Sequence, residues 1–324
     1  MAADIHVLVT GGAGFIGSHL VDALLARGDR VTVLDKLTYA GTLANLEDHR
    51  DDGRFAFVRG DVTDAEAVGP LVRLADRVVH AAAESHVDRS IDRSRGFVTT
   101  NVLGTQTILE ACRATGTPIL FVNTDEVYGA GADGTTFDEE DPLRPRNPYA
   151  ATKAGADLLC RAYAETYAVA VTVVRGTNAF GPRQFPEKVI PVYALAALDG
   201  RPLPVYGRGE QRREWLFVED WVRACLVALD RGEPGGVYNI ASGTELPNLE
   251  LAQRICALVG ADPSLIGFVE DRPGHDFRYG MDDTRLRSLG WEPTVAFEEA
   301  LASTVRWYAE HRAWVGARLQ GAER

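Results

Sequence analysis

Short apolar runs rich in β-branched residues recur along the first half of the chain, at 5–10, 30–35, 54–59, 77–82, 118–123 and 169–175. Apolar runs of this length, without polar alternation, suit strands buried on both faces of a parallel sheet. Between them the apolar positions take a helical spacing. In 14–27, Ile16, Leu20, Ala23 and Leu24 fall on one face, and 64–74, 95–115 and 148–168 read alike. Alternating strand and helix units predict an α/β fold built on a doubly wound parallel sheet.

The texture changes after Arg175. Prolines 182, 186, 191, 202 and 204 interrupt the pattern. A helical stretch at 219–231 and the strand-like Val237–Ile240 point to a return to the sheet. Small mixed elements over 244–290 and a last amphipathic helix at 297–311 follow. The expected division is a nucleotide-binding domain over 1–178, with returning segments near 218–242 and 281–290. Residues 179–324 would form mainly a smaller mixed α/β substrate domain. The Gly- and acid-rich stretch 129–141 reads equally well as a mobile loop or a solvated turn.

Charge narrows the partners. The 324 residues include 34 Lys and Arg against 46 Asp and Glu, a net charge of −12. Such a chain repels nucleic acid and anionic membranes. No apolar run reaches the roughly 18 residues of a membrane span, and the N-terminus lacks the basic region of a signal peptide. Cys112, Cys160, Cys225 and Cys256 form no CxxC pair, so no metal or redox centre is expected. Buried thiols fit a reducing, cytoplasmic location.

Chemistry first shows at Gly11, Gly14 and Gly17, in the turn between the first strand and first helix. Gly11 permits the tight turn, Gly14 lets a pyrophosphate approach the helix N-terminus, and Gly17 lets helix and strand pack closely. The second strand ends in Asp35, whose carboxylate suits an adenosine ribose and repels a 2′-phosphate. This favours NAD over NADP in a Rossmann-type domain, and Lys36 softens the preference. Asp61 and Val62 follow the third strand, near the expected adenine. Tyr149 and Lys153 lie four apart on the helix opened by Pro148 and therefore share a face. An ammonium beside a phenol lowers its pKa and makes it a base.

This combination resembles the extended short-chain dehydrogenase/reductase family. Within it, Thr124-Asp125-Glu126, Leu37–Gly41, Ala82–Ile91, Phe185–Lys188 and Asp271–Asp276 are similar to nucleotide-sugar 4,6-dehydratases, from Val7 to about Tyr308. The resemblance implies NAD held by Gly11, Gly14, Phe15, Ile16, Gly17, Asp35, Lys36, Thr38, Asp61, Val62, Ala81, Ala83 and Ser85, with Tyr149 and Lys153. It implies dTDP-glucose as substrate and a 4-keto-6-deoxy sugar as product, feeding deoxysugar pathways such as antibiotic biosynthesis.

Tyr149 would take the C4 hydroxyl proton while hydride passes to NAD, and Thr124 would steady the C4 oxygen. Glu126 would remove the C5 proton, and Asp125 would protonate the departing C6 hydroxyl before hydride returns to C6. Asp125 must then be protonated while Glu126 is ionised. Ser85, His86, Thr124, Asn178, Lys188, Pro204, Tyr206, Arg213, Asn248, Arg272, His275 and Tyr279 would meet the substrate, and the protein would be a homodimer through helices 95–115 and 148–168. Asn123, Arg146-Asn147, Ala179-Phe180 and Arg183 depart from the family pattern, and an arginine at 183 would fit a carboxylated sugar. A UDP-sugar dehydratase, a 4-epimerase and a non-catalytic NAD-binding protein are the alternatives.

Overall fold

The computed structural model describes residues 5–271 and 274–322. Its first half runs β1 (His6–Thr10), α1 (Phe15–Arg27), β2 (Arg30–Asp35), β3 (Phe55–Arg59), α2 (Ala65–Leu74), β4 (Arg77–His80), α3 (Val87–Asp92), α4 (Ser94–Phe97) and α5 (Gly104–Thr115). It continues through β5 (Ile119–Thr124), α6 (Pro148–Tyr167) and β6 (Val171–Gly176). The second half holds β7 (Asn178–Phe180), α7 (Val189–Leu198), β8 (Leu203–Tyr206), β9 (Arg212–Phe217), α8 (Val218–Arg231) and β10 (Val237–Ile240). β11 (Glu245–Pro247), α9 (Asn248–Val259), β12 (Ile266–Val269), α10 (Thr284–Ser288), α11 (Phe297–Glu310) and α12 (Arg312–Ala322) complete it.

Seven strands make one sheet in the order β10-β6-β5-β4-β1-β2-β3, every pair parallel. Val7, Leu8 and Val9 on β1, and Val31, Val33 and Leu34 on β2, are completely buried because helices cover both faces. Strand order reverses between β1 and β4. The loops leaving these two strands diverge there and open a crevice at the carboxyl edge, where ligands bind in sheets of this kind. β10 lies beside β6 at the sheet edge. Two small sheets, β11-β9-β7 and β12-β8, belong to the second half.

Three features differ from the sequence reading or complete it. The helical run at 95–115 is broken by a six-residue π-helical stretch, Val98–Leu103. Asn101 there turns its side chain to the backbone of Glu84, accepting at 2.8 Å and donating at 3.0 Å. Such bulges recur at functional sites. Within 244–290 lies a full twelve-residue helix, α9, whose Leu251, Ala252, Ile255 and Cys256 are completely buried. Stretch 129–141 is tied down at its middle. The Phe137 N–H donates to Gly280 O at 2.8 Å, and its ring stacks on Tyr128 at 5.2 Å. All four cysteines are buried and unpaired.

Candidate active site

The crevice at the carboxyl edge is lined by the turn after β1, the ends of β2, β4 and β5, helix α6, and the segment 176–188 from the second half. Gly11 has φ of +71°, and a Cβ there would sit 2.6 Å from the Ala82 backbone. A Cβ on Gly17 would lie 2.1 Å from the Gly11 carbonyl oxygen. The turn therefore exists only with glycine at both places. Gly14 is the N-cap of α1, and no side chain caps the helix, so its first N–H groups face the crevice unclaimed by a cap. No acid stands in the first turn. This suits a phosphate. Asp35 accepts from the Ala13 N–H at 3.0 Å and the Leu37 N–H at 2.8 Å, and burial pushes its carboxyl up. Gly17→Ala is expected to abolish detectable NAD binding in titration calorimetry, because its contact is with backbone that cannot yield.

Of the residues singled out for the cofactor, Gly11, Gly14, Phe15, Ile16, Gly17, Asp35, Lys36, Thr38, Val62, Ala81, Ala83, Ser85, Tyr149 and Lys153 line this crevice. Asp61 does not line it; its carboxylate lies 3.4 Å from the ammonium of Lys36, which does. Lys36 also donates to Thr100 at 3.0 Å, so its charge is shared locally.

Thr124, Asp125 and Glu126 leave the end of β5 in a short 3-10 turn that Thr124 caps by accepting the Glu126 N–H. Asp125 is 2% exposed. Burial first, and the Glu126 carboxylate second, push its pKa up to about 8. Its Oδ1 accepts from the Thr124 hydroxyl at 3.0 Å, whereas its buried Oδ2 has no partner. Asp125 lines the crevice, and a proton on Oδ2 has no acceptor among the described residues. Glu126 is half-buried and accepts from Asn147 Nδ2 at 3.1 Å. Two adjacent carboxyl groups here meet different surroundings, as an acid and a base require.

Tyr149 is buried, its N–H donating to Ser90 Oγ at 3.1 Å. Burial and the Glu126 carboxylate hold its phenol well above the ordinary value, while a hydrogen bond with Thr124 opposes them. This corrects the expectation of a phenol lowered by Lys153. The Lys153 ammonium donates instead to Val122 O at 2.7 Å and lies 4.3 Å from the Phe121 ring centre. Burial pulls its pKa down to about 8. Sharing a helix face did not determine where the long side chain pointed.

The expected substrate residues divide. Ser85, Thr124, Asn178 and Lys188 line the crevice. His86 caps α3, accepting the Arg89 N–H. Pro204 and Tyr206 share the exposed face of β8, and Tyr206 meets the His275 ring edge-on at 6.1 Å. Arg213 lies 4.7 Å from the Tyr279 ring centre, and Tyr279 donates to Asp276 at 2.6 Å. Both approach the acidic pair, since the Arg213 charge lowers the Asp125 pKa and the Glu126 charge raises that of Tyr279. Asn248 is buried with an unpartnered Oδ1. Arg272 lies outside the described residues.

Arg183 is turned from the crevice. It donates to Asn45 O at 2.8 Å, meets His19 Nδ1 at 2.9 Å and pairs with Asp22. It offers nothing to a sugar carboxylate. Sequence reasoning missed Gln184 and Glu187 in the crevice wall and the contact of Asn147 with Glu126. The helix-capping position of Asn147 was the one available signal.

The model of the NAD dependent epimerase/dehydratase family matches residues 7–241. The chain belongs to this family. Among NAD dependent epimerase/dehydratase relatives, a dTDP-glucose 4,6-dehydratase of Streptomyces niveus is 49% identical over 318 residues, 96% of this chain and 94% of the relative. The low-salt glycan biosynthesis protein Agl12 of Haloferax volcanii is 53% identical over 306 residues, 94% of this chain and 98% of its own length. Among solved structures, DesIV, a dTDP-glucose 4,6-dehydratase from Streptomyces venezuelae crystallised with NAD, superposes with a TM-score of 0.95 at 46% identity. It covers 97% of this chain and 100% of that one.

Proposed function

We propose that this protein is an NAD-dependent hydro-lyase that dehydrates dTDP-glucose to a 4-keto-6-deoxy sugar nucleotide. The observation that carries the reading is the pair at the end of β5. Burial beside Glu126 favours the protonated form of Asp125, and its second oxygen has no partner among the described residues. The full-length likeness to proteins named dTDP-glucose 4,6-dehydratase supports the substrate. The uncapped start of α1, the glycine turn and Asp35 fit NAD, and matching structures of dTDP-glucose 4,6-dehydratases contain NAD.

When bound, NAD would supply a reversible hydride acceptor and a positive charge that would favour the phenolate form of Tyr149. Tyr149 takes the C4 hydroxyl proton. Thr124, within reach of both Tyr149 and Asp125, donates to the C4 oxygen as it becomes a ketone. Glu126 removes the C5 proton that the ketone has acidified, and Asp125 delivers its proton to the leaving C6 hydroxyl. Lys153 keeps positive charge beneath the site. Arg213, Asn248, His275 and Tyr279 meet the nucleotide from the second half, while Lys188 and Asn178 meet the sugar and phosphates.

Activity should depend on pH in a set direction. Asp125 must carry its proton, and its pKa is raised to about 8. Lys153, lowered to about 8, loses its charge over the same range. The kcat is expected to hold on the acid side of 8 and to fall roughly between tenfold and a hundredfold per unit above it, according to whether one or both protons are required. A profile flat to pH 9.5 would remove Asp125 as the acid. The deciding experiment incubates the protein and NAD with dTDP-glucose, UDP-glucose and UDP-GlcNAc and weighs the products. Loss of one water from dTDP-glucose supports the reading. An unchanged mass with a new sugar makes the protein an epimerase, and no turnover of any substrate favours a binding module.

A homodimer through the helical stretches 95–115 and 148–168 fits the apolar side chains left in solvent there, with Leu103 47% and Leu158 56% exposed. Light scattering should give twice the chain mass of 35.2 kDa, and Leu158→Glu should halve it. A cytoplasmic location fits four unpaired, buried thiols. No helix among the described residues is long and apolar enough to cross a membrane.

A further inference from the structure

We infer that Trp314, on the C-terminal helix α12, is a positioning residue for the cofactor: through Asn45 it braces the glycine-rich turn. The inference rests on the NAD reading above. Asn45 is 4% exposed and touches three parts of the chain. Its Nδ2 donates to Ala13 O at 3.0 Å, inside the turn. Its Oδ1 accepts from Trp314 Nε1 at 3.1 Å. Its main-chain oxygen accepts from Arg183 at 2.8 Å. Ala13 is thereby held on both sides, because its own N–H goes to Asp35 and its carbonyl also takes the Thr42 N–H at 3.0 Å.

The indole gives this contact its meaning. An indole N–H only donates, whereas an amide has one accepting and one donating end. With Trp314 in place the Asn45 oxygen must face the indole, so the NH2 must face Ala13. Reversed, the amide would set donor against donor at Trp314 and acceptor against acceptor at Ala13. Trp314 therefore selects the amide orientation that supports the turn. A turn that spends part of its time unsupported binds more weakly, in proportion to the lost competent fraction.

Helix α12 is lightly held. Val315 packs on Leu195 and Tyr308, Trp314 meets the Trp307 ring at 5.0 Å, and Arg312 pairs with Asp199 at 2.9 Å. A peripheral terminal helix opens at less cost than the core. If its docking favours cofactor binding, the cofactor must favour its docking by the same factor. A purely structural helix would lack that second property.

The test uses the full chain, NAD titration calorimetry, and amide hydrogen exchange of α12 with and without NAD. In the wild type, NAD should slow α12 exchange several-fold. Trp314→Phe should raise the NAD Kd about 5- to 20-fold, abolish the NAD-dependent slowing, and leave kcat at saturating NAD unchanged. Leu319→Ala, which alters an exposed side chain on the same helix, should keep both properties. Asn45→Asp retains an acceptor for Trp314 and loses the donor to Ala13. It should raise the Kd while α12 stays docked, and it serves if Trp314→Phe fails to fold. Wild-type protein that binds no NAD would overturn the cofactor reading itself. Wild-type protein that binds NAD, with Trp314→Phe within twofold of it and α12 exchange indifferent to NAD, would overturn the brace alone.

Discussion

Glu126→Gln is expected to oxidise the sugar at C4 yet lose about 100- to 10,000-fold in dehydration, the usual contribution of a positioned general base. Glutamine has the same shape and can still accept from Asn147, which now bonds Glu126 at 3.1 Å, so the turn should stay folded. It cannot take a proton from C5. Absorbance at 340 nm should rise on adding substrate and persist, because hydride taken from C4 has no acceptor at C6. In heavy water the wild type should place deuterium at C5. A variant that dehydrates at the wild-type rate would put the base elsewhere.

The second large effect concerns stability. Asp157 on α6 is 2% exposed and receives Arg175 Nε and Nη2, each at 2.9 Å, and Asn123 Nδ2 at 2.6 Å. Asp157→Ala leaves the Arg175 guanidinium, 5% exposed, without its carboxylate. Stranding one member of a buried pair costs about 3–5 kcal/mol. Thermal unfolding should begin many degrees lower, and a Tm within two degrees of wild type would show that Tyr128 and Glu139, which Arg175 also meets, suffice. Because the Asp157 charge raises the Lys153 pKa, losing it should also shift the alkaline decline of kcat to lower pH. Asp157→Asn keeps the shape and should cost less.

What the sequence made legible was local. Gly11 and Gly17 are demanded by backbone geometry within one turn, and Asp35 by its place at a strand end. The apolar run of each buried strand needs no knowledge of its partners. The acidic pair at 125–126 was visible too, but not the cause of its split titration, which is the burial of one carboxyl and the partial exposure of the other. Long polar side chains were least legible. Lys153 could be placed on a helix face, but not bonded to Val122. Arg183 could be read as a sugar ligand until the structure tied it to Asp22 and His19. Asn147 and Gln184 act through contacts set by which distant segments meet. The helix at 248–259 was obscured by the prolines and glycines around it, although its buried face follows an ordinary spacing.

The position of β10 has a consequence for synthesis of the chain. β6 ends at Gly176, and its neighbour begins only at Val237. A ribosome adding roughly 5–20 residues per second leaves the flank of β6 unpaired for roughly 3–12 s after that strand emerges. Through that interval the nascent chain carries an almost complete sheet with β6, an interior strand of the finished fold, exposed as an edge, the geometry that recruits foreign strands. A chain stopped at residue 178 should therefore aggregate, and supplying 179–324 as a separate fragment during synthesis should rescue it. The stretch that brings residues 178–188 to the crevice also carries the strand that completes the seven-stranded sheet, so the two halves are expected to fold best as one chain.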